Sequence, residues 1–231
     1  LTAKALGVNL LVHYGHSCLI PMDPNSDLKI LYVFVDIKID VPHLIETLKL
    51  NLSTTKRIGL VSTIQFVTTL QGAANKLREV GYDVSVPQFK PLSPGEILGC
   101  TAPVIKCMDT LVYLGDGRFH LEAAMIANPK MDAYRYDPYS KKFTKEYYEH
   151  EQMREIRRQS VEVAKNARNF GLILGTLGRQ GSTKVLENLQ EMLRKQDKNA
   201  CILLLSEIFP QKLELFGGLD SFVQTSCPRL S

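Results

Sequence analysis

Short apolar runs separated by helical stripes constrain this chain more than any other feature. Residues 9–13 (NLLVH), 30–35 (ILYVFV), 57–62 (RIGLVS), 82–86, 110–114, 171–174, 200–205 and 221–225 each read as a strand. Most are continuous apolar runs, as expected of parallel strands covered on both faces. Helical stripes lie between them. Residues 69–80 place Leu70, Ala73, Ala74, Leu77 and Val80 on one face, and Gly81 stops the helix. Residues 182–195 place Val185, Leu186, Leu189, Met192 and Leu193 together, with Ser182 as the N-cap. Residues 146–169 read as one long charged helix, a solvated connector. This alternation predicts an α/β fold of repeated Rossmann-like parallel-sheet units.

The pattern repeats loosely. GLVST (59–63) and GLILG (171–175) each open a strand, turn, helix and strand, with Cys100 and Cys227 placed late. Two full units and the tail of an earlier one are expected: residues 1–53, 54–150 and 151–231. Equivalent cysteines on such repeats would converge ligands on one point.

Composition narrows the function classes. Lys plus Arg is 28 and Asp plus Glu is 24, a net charge of +4, which does not call for nucleic acid. No apolar run approaches the roughly 20 residues of a membrane span. No signal peptide is evident, and the start at Leu1 suggests a cut or processed terminus. The 5 Cys are an odd number without a C-x-x-C pair, so reduced thiols in the cytoplasm are expected.

Four segments carry chemistry. GTLGRQG (175–181) follows a strand and precedes a helix, where backbone N–H groups can cradle an anion; Gly178, Arg179, Gln180 and Gly181 are its candidates. It is neither G-x-G-x-x-G nor a P-loop, and a tight turn is the alternative. LGDGRFH (114–120) ends a strand with Gly115 and Gly117, which allow close backbone approach, and brings Asp116, Arg118 and His120. HYGHSC (13–18) joins His16 to a strand end, but the ligand count fails for zinc. Cys100 and Cys227 lie in turn-like contexts without neighbouring histidines, a soft donor set that suits iron–sulfur. Arg229 could balance an anionic cluster or grip a carboxylate. Cys107 and Cys201, in apolar contexts, read as packing residues.

The longer motifs resemble one family. LLVHYGHSCLIPMD, LYVFVDIKID, VSTIQF, KPLSPGEILGCT, YLGDGRFHLE, MIANP, AYRYDPYSK, GLILGTLGRQGS, LLLSEIFP and SCPRLS are similar to the eukaryotic diphthamide synthases, the 2-(3-amino-3-carboxypropyl)histidine synthases. The resemblance spans essentially the whole chain. It implies three Rossmann-like domains, each giving one cysteine to a central 4Fe-4S cluster. Cys100 and Cys227 match the second and third ligands. The first would precede Leu1, so a two-thiolate site is expected to hold iron weakly in this chain alone.

The resemblance further implies that the cluster binds S-adenosylmethionine at an open iron and cleaves it reductively. A 3-amino-3-carboxypropyl radical then adds to C2 of a histidine in translation elongation factor 2. Catalytic residues beyond the cluster are not expected. His16, Gly115, Asp116, Gly117, Arg118, Gly178, Arg179, Gln180, Gly181 and Arg229 are expected around S-adenosylmethionine. A related second subunit forming a heterodimer and a small metalloprotein electron donor are the implied partners. Neither a membrane nor direct nucleic-acid contact is expected. A cluster-free Rossmann transferase, or a docking fragment without chemistry, are the alternatives.

Overall fold

The computed structural model describes residues 2–15, 27–90, 92–99, 102–176 and 182–226, apart from the side chains of Thr2 and Lys4. Those up to Tyr148 form one compact unit and those from Glu149 onward form another. In chain order the first unit holds α1 (Thr2–Ala5), β1 (Leu10–Tyr14), β2 (Lys29–Val33), α2 (Val41–Asn51) and β3 (Arg57–Ser62). It continues with α3 (Val67–Glu79), β4 (Asp83–Ser85), β5 (Thr110–Leu114), α4 (Phe119–Ala127), β6 (Asp132–Asp137) and β7 (Lys142–Glu146). The second unit holds α5 (His150–Ala164), β8 (Asn169–Gly175), α6 (Thr183–Arg194), β9 (Asn199–Leu205), α7 (Pro210–Leu213) and β10 (Ser221–Gln224).

The α/β architecture with parallel sheets is the one observed. In the first unit β4, β3, β5 and β6 run parallel, in the order β4-β3-β5-β6-β7. The apolar runs of β3 and β5 are buried on both faces. Ile58, Leu60, Val112 and Leu114 meet α2 and α3 through Leu48, Leu70, Ala74 and Leu77. Val61, Leu111 and Tyr113 meet α4 through Leu121, Ala124 and Met125 on the other face. Period-2 alternation thus feeds two cores, each apolar, so the strands show no polar face.

Three features differ from the sequence expectation. Helix α2 forms although no helix was expected there. Asp40 caps it by accepting the His43 N–H at 3.1 Å, and Leu44, Ile45 and Leu48 are buried. Its apolar face joins the core of the five-stranded sheet, although it lies on the N-terminal side of residue 53. Second, β7 is antiparallel to β6, with Asp137 opposite Lys142. The Asp137 carboxylate accepts the N–H groups of Tyr139 and Ser140 and so folds the four-residue turn. Third, this strand occupies residues 142–146, so the charged helix starts only at His150 and ends at Ala164. It buries no residue, in keeping with a solvated surface.

The smaller sheets are also parallel. β1 pairs with β2 from Leu10 opposite Lys29 to Tyr14 opposite Val33. The second unit's sheet has the order β10-β8-β9. A Cβ on Gly171 of β8 would lie 2.7 Å from the Phe222 ring, so glycine lets β10 pack closely.

The two units share a fastener. Asp109, just before β5, accepts the Arg57 N–H at 3.1 Å and returns its own N–H to the Arg57 carbonyl. Asp220, just before β10, accepts the Arg168 and Asn169 N–H groups at 2.9 and 2.8 Å. In both units the aspartate lies 52 residues after the first donor. This register equates β5 with β10 and corrects the repeat read from sequence. Cys100 precedes β5, whereas Cys227 follows β10, so the two cysteines are not equivalent positions of one repeat.

Candidate functional site

In parallel sheets ligands gather at the C-terminal ends of the strands. At that end of β3 the neighbouring place is taken over by a loop. The last pairing of β3 with β4 is Gly59 with Ser85. Beyond it, Glu96 forms a parallel bridge to Ser62. The Ser62 N–H donates to the Gly95 carbonyl at 2.8 Å, and the Ile97 N–H donates to the Ser62 carbonyl at 2.9 Å. Ser62, Thr63 and Glu96 are 0%, 2% and 1% exposed.

Glu96 also closes the preceding turn. Its Oε2 accepts the Ser93 N–H at 3.0 Å, and its own N–H donates to the Ser93 carbonyl at 3.0 Å. This is half of a capping box, whose S-x-x-E spacing was legible in Ser93-Pro94-Gly95-Glu96 but passed over. Gly95 stands at φ +84° with a Cβ position already crowded by Leu70 and Val86. Four residues on, a Cβ at Gly99 would collide with the Phe119 ring, so the loop lies against the start of α4.

Beside this loop, β5 ends in the turn expected from its glycines. Gly117 has φ +61°, and a Cβ on Gly115 would lie 2.5 Å from the Tyr113 hydroxyl oxygen. That hydroxyl donates to the Asp116 carbonyl at 3.3 Å. Burial, and then the Asp116 charge, push the Tyr113 phenol well above its usual range, so it serves as a neutral donor. The Thr63 hydroxyl stands close enough to oppose that rise, short of a well-aligned bond. Asp116 and Gly117 are exposed.

Arg118 begins α4 already engaged. Its Nη2 donates to the Tyr147 carbonyl at 2.7 Å, and its Nε lies 3.6 Å from Glu122 and 3.5 Å from Glu146. Glu146 is nearly buried and also holds Arg135 at 3.2 Å and the Thr144 hydroxyl at 2.6 Å. These pairs fasten the 115–118 turn to β7, so Arg118 meets a ligand carboxylate only by sharing its guanidinium. Glu146 and Arg135 were not singled out from sequence, because their partners come from elements not foreseen there.

His16, Cys100, Gly178, Arg179, Gln180, Gly181, Cys227 and Arg229 lie outside the described residues. Their flanks are described. β8 ends at Gly175 and Thr176 donates its N–H to the Leu205 carbonyl at 2.9 Å. Ser182 occupies the N-cap position of α6 without a side-chain capping bond. Ser226, next to Cys227, is buried with its hydroxyl unpartnered. His13, beside the expected His16 segment, packs its ring on Tyr32 at 5.3 Å. Cys107 and Cys201 are exposed free thiols, not packing residues. Cys107 sits in a left-handed turn at φ 60°, and Cys201 lies on an edge strand. Among the described residues no three His, Cys, Asp or Glu side chains gather as a metal site, and no helix is long and apolar enough to cross a membrane.

The family model described as "Putative diphthamide synthesis protein" matches residues 1–231. The chain belongs to the diphthamide synthesis protein family. Among its diphthamide-synthesis relatives, 2-(3-amino-3-carboxypropyl)histidine synthase subunit 1 of Nematostella vectensis is 58% identical over 230 residues. The human protein of the same name is 58% identical over 232 residues. Both alignments take in 100% of this chain but 49% and 53% of the relatives, so the chain spans about half their length. Among solved structures, Dph2 from Pyrococcus horikoshii with a 4Fe-4S cluster matches with a TM-score of 0.76 and 25% identity, over 99% of this chain and 67% of that one.

The donor chemistry of this chain fits such a cluster. Cys100 and Cys227 carry the soft sulfur donors that such a group takes, and in sequence each lies shortly after a buried polar atom without a partner, Glu96 Oε1 and Ser226 Oγ.

Proposed function

We propose that this chain is part of an S-adenosylmethionine-dependent transferase that places a 3-amino-3-carboxypropyl group on C2 of a histidine in translation elongation factor 2. The observation that carries the reading is family membership over all 231 residues, with relatives named for that product. Cys100 and Cys227 would each give a thiolate to a 4Fe-4S cluster, as their GEILGC and SCPRLS motifs suggest. The cluster, when bound, supplies the electron that breaks the sulfonium C–S bond by a radical route.

The remaining work belongs to the protein. Arg179 and Arg229 would pair with the methionine carboxylate. The 115–117 and 178–181 turns would approach the adenosine and amino-acid portions, with His16, Asp116 and Gln180 as polar anchors. Arg118 would hold the 115–118 turn in place through Glu122 and Glu146. The name "subunit 1" borne by the relatives supports a second, related subunit, and a small metalloprotein would deliver electrons. The reaction would take place in the cytoplasm. The domain division 1–53, 54–150 and 151–231 belongs to the same reading.

The test uses the full-length protein with its partner, loaded anaerobically. Cys100→Ser and Cys227→Ser are each expected to lower iron per chain and abolish histidine modification. Arg229→Ala is expected to weaken S-adenosylmethionine binding in calorimetry. Full iron content in both cysteine variants would remove the reading.

A further inference from the structure

Tyr113 sits in the apolar core under α4, among Val61, Leu111, Leu121, Ala124 and Met125, and is 0% exposed. A phenylalanine would fill the same place without the cost of burying a hydroxyl. That hydroxyl reaches the turn after β5. It donates to the Asp116 carbonyl at 3.3 Å, and a Cβ on Gly115 would lie 2.5 Å from its oxygen. The Gly115 N–H donates in turn to the Tyr136 carbonyl at 3.1 Å.

The register sets Tyr113 in a row that crosses four strands on one face. Val61, Tyr113, Arg135 and Thr144 are successive partners on β3, β5, β6 and β7. Thr63, extended at φ −79° and ψ 163°, continues the alternation of β3 and shares that face. It is 2% exposed, and its hydroxyl, without an aligned partner, stands close enough to act on the Tyr113 phenol. Glu146 lies two residues beyond Thr144 on the same face. It accepts the Thr144 hydroxyl at 2.6 Å and Arg135 Nε at 3.2 Å, and its other oxygen lies 3.5 Å from Arg118 Nε. The row thus meets the turn twice. Tyr113 holds the Asp116 carbonyl, and Glu146 holds the Arg118 guanidinium. Linked polar groups inside a core rigidify what they bind.

We propose that Tyr113 is a positioning residue for the 115–118 turn, and through that turn for S-adenosylmethionine. It touches no substrate; with Thr63 and Glu146 it fixes where Asp116 and Gly117 present their backbone. The inference rests on the reading that this turn lies at S-adenosylmethionine, but its first measurement does not need that reading.

The first arm measures amide hydrogen exchange over residues 115–118 in the full-length protein with its partner, without S-adenosylmethionine. Tyr113→Phe removes one oxygen and keeps the ring. It is expected to speed exchange at the turn about fivefold, the factor for losing one neutral hydrogen bond. Exchange over β3 stays as in the parent. Thr63→Val gives a smaller rise and adds little to Tyr113→Phe, whereas Thr63→Ser, which keeps the hydroxyl, stays near the parent. Turn exchange within about 1.5-fold of the parent in Tyr113→Phe overturns the proposal. So does an equal rise over the turn and β3, which would report general loosening.

The second arm uses calorimetry and steady-state kinetics with S-adenosylmethionine in the loaded protein. Tyr113→Phe is expected to weaken binding and raise KM about three- to fivefold while lowering kcat less. Tyr82→Phe is the control. It removes a buried hydroxyl that donates to the Leu52 carbonyl at 2.9 Å, at the N-terminal end of the strands, and leaves KM unchanged. A KM raised equally in both variants overturns positioning, since lost stability alone would account for it. A loosened turn with unchanged affinity overturns the reading that the turn lies at S-adenosylmethionine, while the hold of Tyr113 on the turn stands.

Discussion

Replacing a glycine by alanine should have opposite effects at two places in the same unit. Gly95 holds φ +84°, and an added Cβ would lie 2.3 Å from Leu70 Cδ2 and 2.8 Å from Val86 Cγ1. The left-handed backbone costs alanine about 1–2 kcal/mol. Leu70 is 1% exposed and cannot swing into solvent, so crowding adds about 1–3 kcal/mol. Gly95→Ala should therefore cost about 2–5 kcal/mol in all. Gly72 lies within α3, is exposed, and has nothing within 4 Å of an added Cβ. Gly72→Ala should stabilise by about 0.5–1 kcal/mol, because the helix loses a flexible residue. Hydrogen exchange over β3 reads the opening of this unit directly, avoiding the assumption that both units unfold together. Gly95→Ala within about 0.5 kcal/mol of the parent would refute the reasoning, since neither backbone strain nor crowding would then be real. A destabilising Gly72→Ala would refute its other half.

Other outcomes follow from named contacts. Tyr82 donates its buried hydroxyl to the Leu52 carbonyl at 2.9 Å, so Tyr82→Phe should cost about 1 kcal/mol in urea unfolding. Asn128 bonds the carbonyls of Pro103 and Ala124 and the Ile105 N–H; Asn128→Ala should loosen residues 103–105 and cost about 2–3 kcal/mol, seen as faster exchange there. Glu146→Ala would leave Arg135 without its nearly buried partner and free the 115–118 turn, a loss of about 2–3 kcal/mol measured by thermal unfolding. Hydrogen bonds from Arg57 hold Asp109 at about 2, below its ordinary 3.8. A carboxylate lowered on folding stabilises above its unfolded value. That contribution should therefore fade as pH falls from about 4 towards 2, and Asp109→Asn should remove this slope from acid titration.

The parts of the fold visible in the sequence are those where one residue pattern has one meaning. The apolar runs of β3, β5 and β8 and the Leu70–Leu77 stripe of α3 mark their elements because burial alone dictates them. Helix α2 escaped notice although Leu44, Ile45 and Leu48 form a stripe, since Pro42 resembles a break and is instead tolerated in the first turn. The hairpin of β6 and β7 depends on the Asp137 side chain folding a turn, and its sequence DAYRYD lacks a pronounced apolar run. At the site, the Gly115–Gly117 turn was readable from its glycines. Glu96 was readable only in part: the Ser93–Glu96 spacing marks its turn, but its backbone bridge to Ser62, 34 positions earlier, is encoded by no local pattern.

The sheets differ in how their margins are defended. β7 closes the five-stranded sheet with Lys142 and Lys145, charges that discourage a further strand from adding, and β4 at the opposite margin is only three residues long. β9 closes the three-stranded sheet with NACILLL, seven residues without a charge, and leaves Ile202 and Leu204 43% and 63% exposed. Self-association of this chain at high concentration should therefore begin at β9, and a lysine at Leu204 should suppress it.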